Sequence, residues 1–172
     1  AGCAACVGLI FLTTWLQYNA TYLATYAMLR ECARRITAVG VRVEIEAFEL
    51  GHIWQAKELI REGLLPPETL FQLCMGVPYG AEGTPMNFLS MIQALPDGAN
   101  WSAFGIGRDE FPMVAHAMLA GGNCRVGLED NIYLEKGVYA TNAQLVDKAA
   151  GLIRTLGGKV LTPAEARKKW GL

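Results

Sequence analysis

Apolar and polar positions repeat along the chain with two different periods, which predict strands and helices in regular succession. Short apolar or alternating runs predict strands, whereas apolar residues three and four positions apart predict amphipathic helices. The predicted strands cover residues 9–14, 41–48, 70–77, 101–106 and 124–128, and the predicted helices cover residues 20–39, 54–62, 86–95, 110–120 and 143–156. This alternation is typical of a parallel sheet with helices packed on it.

Residues that cap helices stand at several predicted helix starts. Thr84 comes directly before Pro85, a favoured first residue of a helix, and Asn142 precedes the helix at 143–156. Thr162 and Glu165 form the spacing of a capping box, which predicts one more short helix at the end of the chain.

The number of strand–helix units limits the fold class. A complete (β/α)8 barrel needs about 250 residues and eight strands. This chain has 172 residues and alternates strand and helix about five times. We therefore expect residues 1–172 to form a single α/β domain, either as a compact open sheet or as a part of a larger barrel.

Composition narrows the class of protein. The hydrophobic content of 52% suits the buried strands of a parallel sheet, and the net charge of -1 argues against a nucleic-acid partner. Five cysteines, an odd number without repeated spacing, favour the reducing cytoplasm over a disulfide framework. The apolar run at residues 4–16 is too short to cross a bilayer, so no membrane partner is expected.

The most informative segment is GGNCRVGLEDN, residues 121–131. Read as a strand, it places Arg125, Gly127 and Glu129 on one face, and Asp130 follows at the end where parallel sheets collect their chemistry. Two opposite charges on one face of a buried strand need a reason, because an unpaired buried charge is costly. The segment therefore predicts either a reactive cluster or a purely structural ion pair.

Two further segments carry candidate chemistry. Glu44 and Glu46 share one face of the strand at 41–48, which indicates either an ordinary solvated face or the mouth of a barrel. Gly105, Gly107 and Arg108 precede a helix and could bind a phosphate through N–H groups, although the third glycine of a dinucleotide motif is missing. No two histidines have metal-ligand spacing, so His and Cys residues alone predict no complete zinc site.

Four blocks of the sequence resemble the β-keto acid cleavage enzymes, whose type activity is the cleavage of 3-keto-5-aminohexanoate. They are VEIEAFELGHI, LPDGANWSAFGIGRDEFPM, GGNCRVGLEDNIYLEKGVYATNAQLV and the ending LTPAEARKKWGL. The resemblance covers residues 29–172, its RVGLEDN block is highly specific, and residues 1–20 match poorly. It implies a (β/α)8 barrel of the TIM type, of which this chain is the C-terminal portion with about five strands.

The resemblance also implies a reaction and its cofactors. Members of this family are acyltransferases that transfer the acetyl group of acetyl-CoA in a retro-Claisen exchange, which converts a β-keto acid to acetoacetate plus a new acyl-CoA. They bind a divalent metal ion, usually zinc, through a His-x-His pair and the Glu of RVGLED. We accordingly expect a cytoplasmic homo-oligomer that binds a small β-keto acid and acetyl-CoA.

Carried over to this chain, the resemblance assigns the catalytic and metal-binding roles. Glu129 is the metal ligand. Arg125 and Asp130 form the pair that orients and deprotonates the substrate adduct, and Glu44 is the supporting carboxylate of the strand. Such an arrangement is chemically sensible, because a carboxylate can take a proton while Arg holds charge that develops on oxygen.

Substrate or CoA binding is assigned to Glu46, Gly107 and Arg108. The chain departs from the family pattern where Val43 replaces a proline and where Asn123 and Cys124 replace an upstream histidine, which bears on substrate choice. The His-x-His pair is absent from the sequence, so Glu129 alone is expected to bind metal poorly.

Two hypotheses of different classes follow, besides a less favoured unrelated α/β hydrolase or lyase. The first is that the parent protein is a metal-dependent β-keto acid cleavage enzyme. The alternative is that this chain is a catalytically silent half-barrel that serves only as an assembly module, with its open sheet edges packed against another copy.

Overall fold

The fold is described from a computed structural model. It describes residues 24–171 in full, and residues 7–10, 15–17 and 20–22 by their backbone alone. Residues 11–14, which belong to the first predicted strand, lie outside the described residues.

A parallel sheet organises the chain, flanked by two small antiparallel hairpins. The nine strands of the described residues are β1 (Val7–Ile10), β2 (Trp15–Gln17), β3 (Ala20–Tyr22), β4 (Val43–Ala47), β5 (Leu70–Met75), β6 (Trp101–Gly105), β7 (Asn123–Cys124), β8 (Tyr133–Glu135) and β9 (Val138–Tyr139). The main sheet has the order β1-β4-β5-β6-β7, and each neighbouring pair is parallel. β2 pairs with β3 and β8 pairs with β9, both antiparallel.

Helices connect successive strands of the main sheet or follow it. They are α1 (Tyr26–Ala38), α2 (Leu50–Arg61), α3 (Pro85–Ala94), α4 (Glu110–Leu119), α5 (Asn142–Thr155) and α6 (Pro163–Trp170). The Thr84 hydroxyl caps α3 as predicted, and Thr162 and Glu165 form the predicted capping box of α6. None of the helices in the described part of the chain is long and apolar enough to cross a membrane.

The two faces of the main sheet differ in chemistry. On one face, apolar side chains of the strands pack against the helices in the main core, which includes Ile45, Phe71 and Leu73 from the strands. On the opposite face, the register aligns polar residues across four neighbouring strands: Glu46, Gln72, Ser102 and Asn123. The predicted separation of apolar and acidic faces along β4 is therefore confirmed.

Four predicted elements differ from the structure, among them the second helix, which begins at Leu50 rather than at residue 54 because Glu49 caps it. The first helix begins at Tyr26 rather than at residue 20, because residues 20–22 form β3 and Thr25 provides the helix cap. Thr141, and not Asn142, caps α5, since Thr141 has the extended backbone and forms the capping box with Gln144. The predicted strand at 124–128 is wrong beyond Cys124, where β7 ends and a turn begins.

Candidate functional site

A tight turn after β7 brings the predicted charged residues together. The backbone N–H of Arg125 donates to the carbonyl of Ala103 at 3.1 Å, which extends the strand pairing by one residue. The N–H groups of Asp130 and Asn131 then both donate to the carbonyl of Gly127, each at 3.0 Å. The chain thereby folds back, and Asp130 returns to the side chain of Arg125.

Arg125 is the centre of this site. Its Nε and Nη2 atoms donate to the two carboxylate oxygens of Asp130 at 2.8 Å each, in the bidentate geometry that makes such pairs strong. Its Nη1 atom donates to Glu46 at 3.2 Å, and its Nη2 atom lies 2.9 Å from a carboxylate oxygen of Glu129. The guanidinium also lies over the ring of Phe104, 4.1 Å from the ring centroid.

Exposure separates the partners of Arg125 into two kinds. The side chain of Asp130 is 3% exposed and that of Glu46 is 17% exposed, whereas the side chain of Glu129 is 82% exposed. Water and salt screen an exposed ion pair, so the contact with Glu129 contributes little to holding Arg125 in place. Asp130 and Glu46 therefore fix the guanidinium, and Glu129 is the partner that a ligand can displace most easily.

Burial changes the acidity of the carboxyl groups on this face. It raises the pKa of Glu46, and the charge of Arg125 opposes that shift. Burial likewise raises the pKa of Glu44, against a hydrogen bond with Gln72 and the charge of Arg125. The pKa of Asp130 is also raised by burial, and its hydrogen bonds with Arg125 oppose the shift. Carboxyl groups with raised pKa values keep their proton to a higher pH than exposed carboxyl groups do, which suits them to proton transfer.

Glu110 and Asn131, which the sequence analysis did not assign to the site, hold the turn through hydrogen bonds. Glu110, the first residue of α4, accepts hydrogen bonds from the N–H of Gly127 at 2.8 Å and from Nδ2 of Asn131 at 2.9 Å. The sequence offered one signal for Glu110: it is the only acidic residue of an otherwise apolar helix. This signal does not by itself indicate a site, because acidic residues are common in the first turn of a helix, where the helix dipole favours negative charge.

The predicted phosphate turn lies beside the same cluster. The N–H of Gly107 donates to the carbonyl of Asp130 at 2.7 Å, which ties the exit of β6 to the turn after β7. The side chain of Arg108 is 95% exposed, and its Nε atom lies 3.8 Å from Asp109. The structure thus places Gly107 within the framework of the site and Arg108 at its solvent side.

The described residues do not by themselves make a metal site. Among them, no group of three or more His, Cys, Asp or Glu side chains is arranged to hold a metal ion. His52 is buried in α2, where its Nδ1 atom accepts from the N–H of Phe48 at 3.1 Å, and His116 stacks on the ring of Phe88. The donor set of the described residues therefore does not fit zinc by itself.

A cleft of about 530 Å³ lies at the opposite end of the sheet, near the first residues of β4 and β5. There the guanidinium of Arg42 donates to the backbone carbonyls of Trp170 and Gly171 at 2.5 and 2.9 Å, which fastens the end of α6. In barrels of parallel strands this end serves stability, whereas the carboxyl ends carry the chemistry. The cluster around Arg125 is therefore the better candidate for a functional site.

Comparison with known sequences gives a consistent family match. Residues 3–172 match the sequence model of the beta-keto acid cleavage enzymes. A 3-dehydrocarnitine:acetyl-CoA trimethylamine transferase of Rhizobium meliloti (strain 1021) is 52% identical over 145 residues, which cover 84% of this chain and 48% of that protein. A 3-keto-5-aminohexanoate cleavage enzyme of Acetoanaerobium sticklandii is 36% identical over 152 residues, 88% of this chain and 56% of that protein. The chain thus spans about half the length of the curated relatives it matches.

Solved structures show the same fold. The apo structure of ObcA matches with a TM-score of 0.77 at 19% identity, over 96% of this chain and 43% of that one. A ternary complex of ObcA with C4-CoA adduct and oxalate matches with a TM-score of 0.74 at 19% identity, over 96% of this chain and 45% of that one. At this identity the likeness concerns the fold alone. The prediction of an α/β fold of the TIM-barrel type is confirmed, and the five parallel strands of the main sheet form a part of such a barrel.

Proposed function

Because the chain belongs to the beta-keto acid cleavage enzyme family, we propose that the protein containing it exchanges acyl groups between acetyl-CoA and a β-keto acid. The names of its relatives include acetyl-CoA transferases and cleavage enzymes, which agrees with this class of reaction. The observation that supports it within the chain is the buried cluster in which Asp130 and Glu46 hold the guanidinium of Arg125.

The proposed exchange is balanced without an oxidant or reductant. The bond between the keto carbon and the α-carbon of the β-keto acid breaks, and the α-carbon forms a new bond with the carbonyl carbon of the acetyl group. The thioester C–S bond of acetyl-CoA breaks, and the freed CoA sulfur forms a new thioester bond with the keto carbon of the released acyl group. The products are acetoacetate and a new acyl-CoA.

Arg125 and Asp130 are the proposed catalytic pair. A substrate carboxylate can replace the exposed Glu129 at Nη2 of Arg125, and the guanidinium then holds negative charge that develops on the substrate oxygens. Asp130, which lies against Arg125 at 2.8 Å, accepts a proton from the substrate adduct and returns it as the products form. No proton is consumed overall.

The remaining predicted residues have supporting roles in this proposal. Glu44 is the supporting strand carboxylate and Glu46 contacts substrate while it holds Nη1 of Arg125. Since the N–H of Gly107 already donates to Asp130, the exposed guanidinium of Arg108 is the group at this turn that can reach a phosphate of CoA.

Metal dependence is a separate part of the proposal. We propose that Glu129 is one ligand of a divalent ion, zinc in the first instance, which when bound polarises a keto oxygen. Because no group of three or more His, Cys, Asp or Glu side chains in the described residues could hold a metal ion, the proposal takes its other ligands from outside these residues.

A cytoplasmic location and assembly as a homo-oligomer are further parts of the proposal. Cys32, Cys74 and Cys124 are free thiols within the described residues, which supports a reducing compartment such as the cytoplasm. The homo-oligomer is proposed from the family resemblance alone, because the remaining strands of a complete barrel would pair with the edges of β1 and β7.

An exchange assay tests the proposal. The natural full-length protein, supplied with zinc, is incubated with acetyl-CoA and each of 3-dehydrocarnitine, 3-keto-5-aminohexanoate and 3-oxoadipate, the β-keto acids named in its relatives. We expect acetoacetate and a new acyl-CoA from at least one of them, and absence of exchange with every substrate would contradict the proposal. The assembly-module alternative makes a different prediction for the 172-residue chain by itself. It is favoured if this chain forms an oligomer that contains no metal and shows no exchange activity.

A further inference from the structure

Glu110 is a fully buried carboxylate, with 0% of its surface exposed. Burial raises its pKa, whereas the hydrogen bonds from Asn131 and Gly127 oppose that shift. A buried acid is destabilising unless its oxygens are satisfied, and an apolar residue would fill the same space more favourably. Its presence in an apolar helix therefore calls for a role that an apolar side chain cannot fill.

The contacts of Glu110 all lead to the turn that carries the candidate catalytic residues. One carboxylate oxygen accepts from the N–H of Gly127 at 2.8 Å, at the start of the turn. The other accepts from Nδ2 of Asn131 at 2.9 Å, at its end. Glu110 thus spans the two ends of the segment that includes Glu129 and Asp130.

Asn131 relays this contact into the backbone. Its Oδ1 atom accepts from the N–H of Tyr133 at 2.9 Å, and its Nδ2 atom also donates to the carbonyl of Tyr133 at 2.7 Å. Its amide orientation is therefore fixed by Tyr133, and Nδ2 must face Glu110. Only an acceptor at position 110 can satisfy it.

We propose that Glu110 is a positioning residue of this site, which holds the turn at residues 127–131 so that Asp130 faces Arg125. The proposal rests on the function proposed above, since it concerns the same pair. Glu110 does not contact Arg125 in any of the hydrogen bonds described, and it acts through Gly127 and Asn131. The N–H of Gly107 completes the arrangement by donating to the carbonyl of Asp130 from the outer side at 2.7 Å.

The test uses two substitutions, alone and combined, and a matched control in the natural full-length protein. Glu110→Gln keeps an acceptor for Gly127 but turns an amide NH2 group toward Nδ2 of Asn131. Asn131→Ala removes Nδ2 and with it the second partner of Glu110, so comparing this variant with the double variant isolates the contact that the two residues share. Val114→Ala removes buried apolar volume from the same helix without touching the turn, and so controls for simple destabilisation.

We expect Glu110→Gln to lower kcat by at least about tenfold, as loss of a hydrogen bond to a charged group predicts, and to speed amide hydrogen exchange across residues 127–131. Adding Glu110→Gln to Asn131→Ala should lower kcat and the protection little further, because the two substitutions disturb the same contact. Val114→Ala should leave kcat per folded molecule unchanged. If Glu110→Gln alters neither kcat nor exchange at the turn, or if Val114→Ala lowers kcat per folded molecule to the same extent, the positioning role is wrong.

If the proposed function itself is wrong, the experiment gives a result that differs from failure of the positioning role. In that case the unsubstituted protein shows no acyl exchange, while hydrogen exchange at residues 127–131 still reports on Glu110. Faster exchange in Glu110→Gln, with little further increase when it is added to Asn131→Ala, would uphold the positioning of the turn, and unchanged exchange would overturn it.

Discussion

The guanidinium of Arg125 and the carboxylate of Asp130 form a two-point hydrogen bond, with both N–O distances at 2.8 Å. The two residues are five positions apart, and the turn at Gly127 brings them together. Because Asp130 is almost completely buried, this contact is protected from water and salt. The pair therefore keeps a fixed geometry before a substrate binds, as electrostatic catalysis requires.

Replacing the proposed proton acceptor should abolish most of the activity. Asp130→Asn retains the size of the side chain but removes its charge and places an amide NH2 group near the donors of Arg125. We expect kcat for acyl exchange to fall by about a hundredfold or more, the usual range for a lost general base. Asp147→Asn, on the exposed side of α5, is the matched control and should leave kcat unchanged. Equal kcat in Asp130→Asn and the unsubstituted enzyme would contradict the assigned role.

Replacing the guanidinium with an ammonium tests the value of the two-point contact. Arg125→Lys keeps the positive charge but cannot donate to Asp130 and Glu46 at once in the same plane. We expect the free energy of unfolding to fall by about 1–3 kcal/mol, since buried acceptors are left unpaired, and exchange activity to fall at least tenfold. Denaturant unfolding and steady-state rates measure these effects. The exposed Arg154→Lys should change neither, and an active, equally stable Arg125→Lys protein would refute the assignment.

The acidic face of β4 predicts a pH-dependent stability. Burial raises the pKa of Glu44 above its ordinary value of 4.5, so the folded state binds this proton more tightly than the unfolded state. Stability due to this group is therefore lost as the pH rises from 4.5 through the raised folded-state pKa. Glu44→Gln removes that loss.

We accordingly expect the free energy of unfolding of Glu44→Gln to exceed that of the unsubstituted protein at neutral pH. The difference should shrink once the pH falls below 4.5. Urea unfolding at the two pH values measures it, with the exposed Glu68→Gln as the control. A Glu44→Gln protein that is less stable than the parent at neutral pH would show that the charge of Glu44 is stabilising instead.

Glu129 should matter for ligand binding and hardly at all for stability. Its side chain is 82% exposed, so Glu129→Gln should change the free energy of unfolding by less than about 0.5 kcal/mol. If Glu129 is a ligand of a divalent ion, the same variant should lose bound zinc, which elemental analysis of the dialysed full-length protein measures. Glu135→Gln, exposed in β8, should retain the metal. Equal zinc content in the two variants would remove Glu129 from the proposed ligand set.

The parts of the fold that repeat regularly could be predicted from the sequence. Apolar and polar residues alternate strictly along β4, and threonines at 84 and 162 mark two helix starts, so local chemistry was enough there. The strand predicted at 124–128 failed because alternation in a short segment does not reveal that the carbonyl of Gly127 accepts two N–H groups and reverses the chain. Arg125 and Asp130, which the family resemblance pairs, are in contact through this turn and not through a shared strand face.

Glu110 shows where reasoning from sequence stops. In the sequence it is an acidic residue in the first turn of a helix, where negative charge is ordinarily preferred. In the structure its carboxylate is buried and accepts hydrogen bonds from the turn after β7. The two donors, Gly127 and Asn131, lie 17 and 21 residues further along the chain. Such a role depends on how β6, α4 and β7 pack together, which no local pattern contains.

The most direct test of the proposed function follows the carbon atoms of acetyl-CoA. The full-length protein is given acetyl-CoA labelled with ¹³C at the acetyl carbonyl, together with an unlabelled β-keto acid that it accepts, and the products are examined by NMR. Acyl exchange predicts that the label appears at the keto carbon of acetoacetate, with an unlabelled new acyl-CoA. Label that is released as acetate, with the intact β-keto acid joined to CoA, would mean simple CoA transfer without carbon–carbon cleavage and would contradict the proposed function.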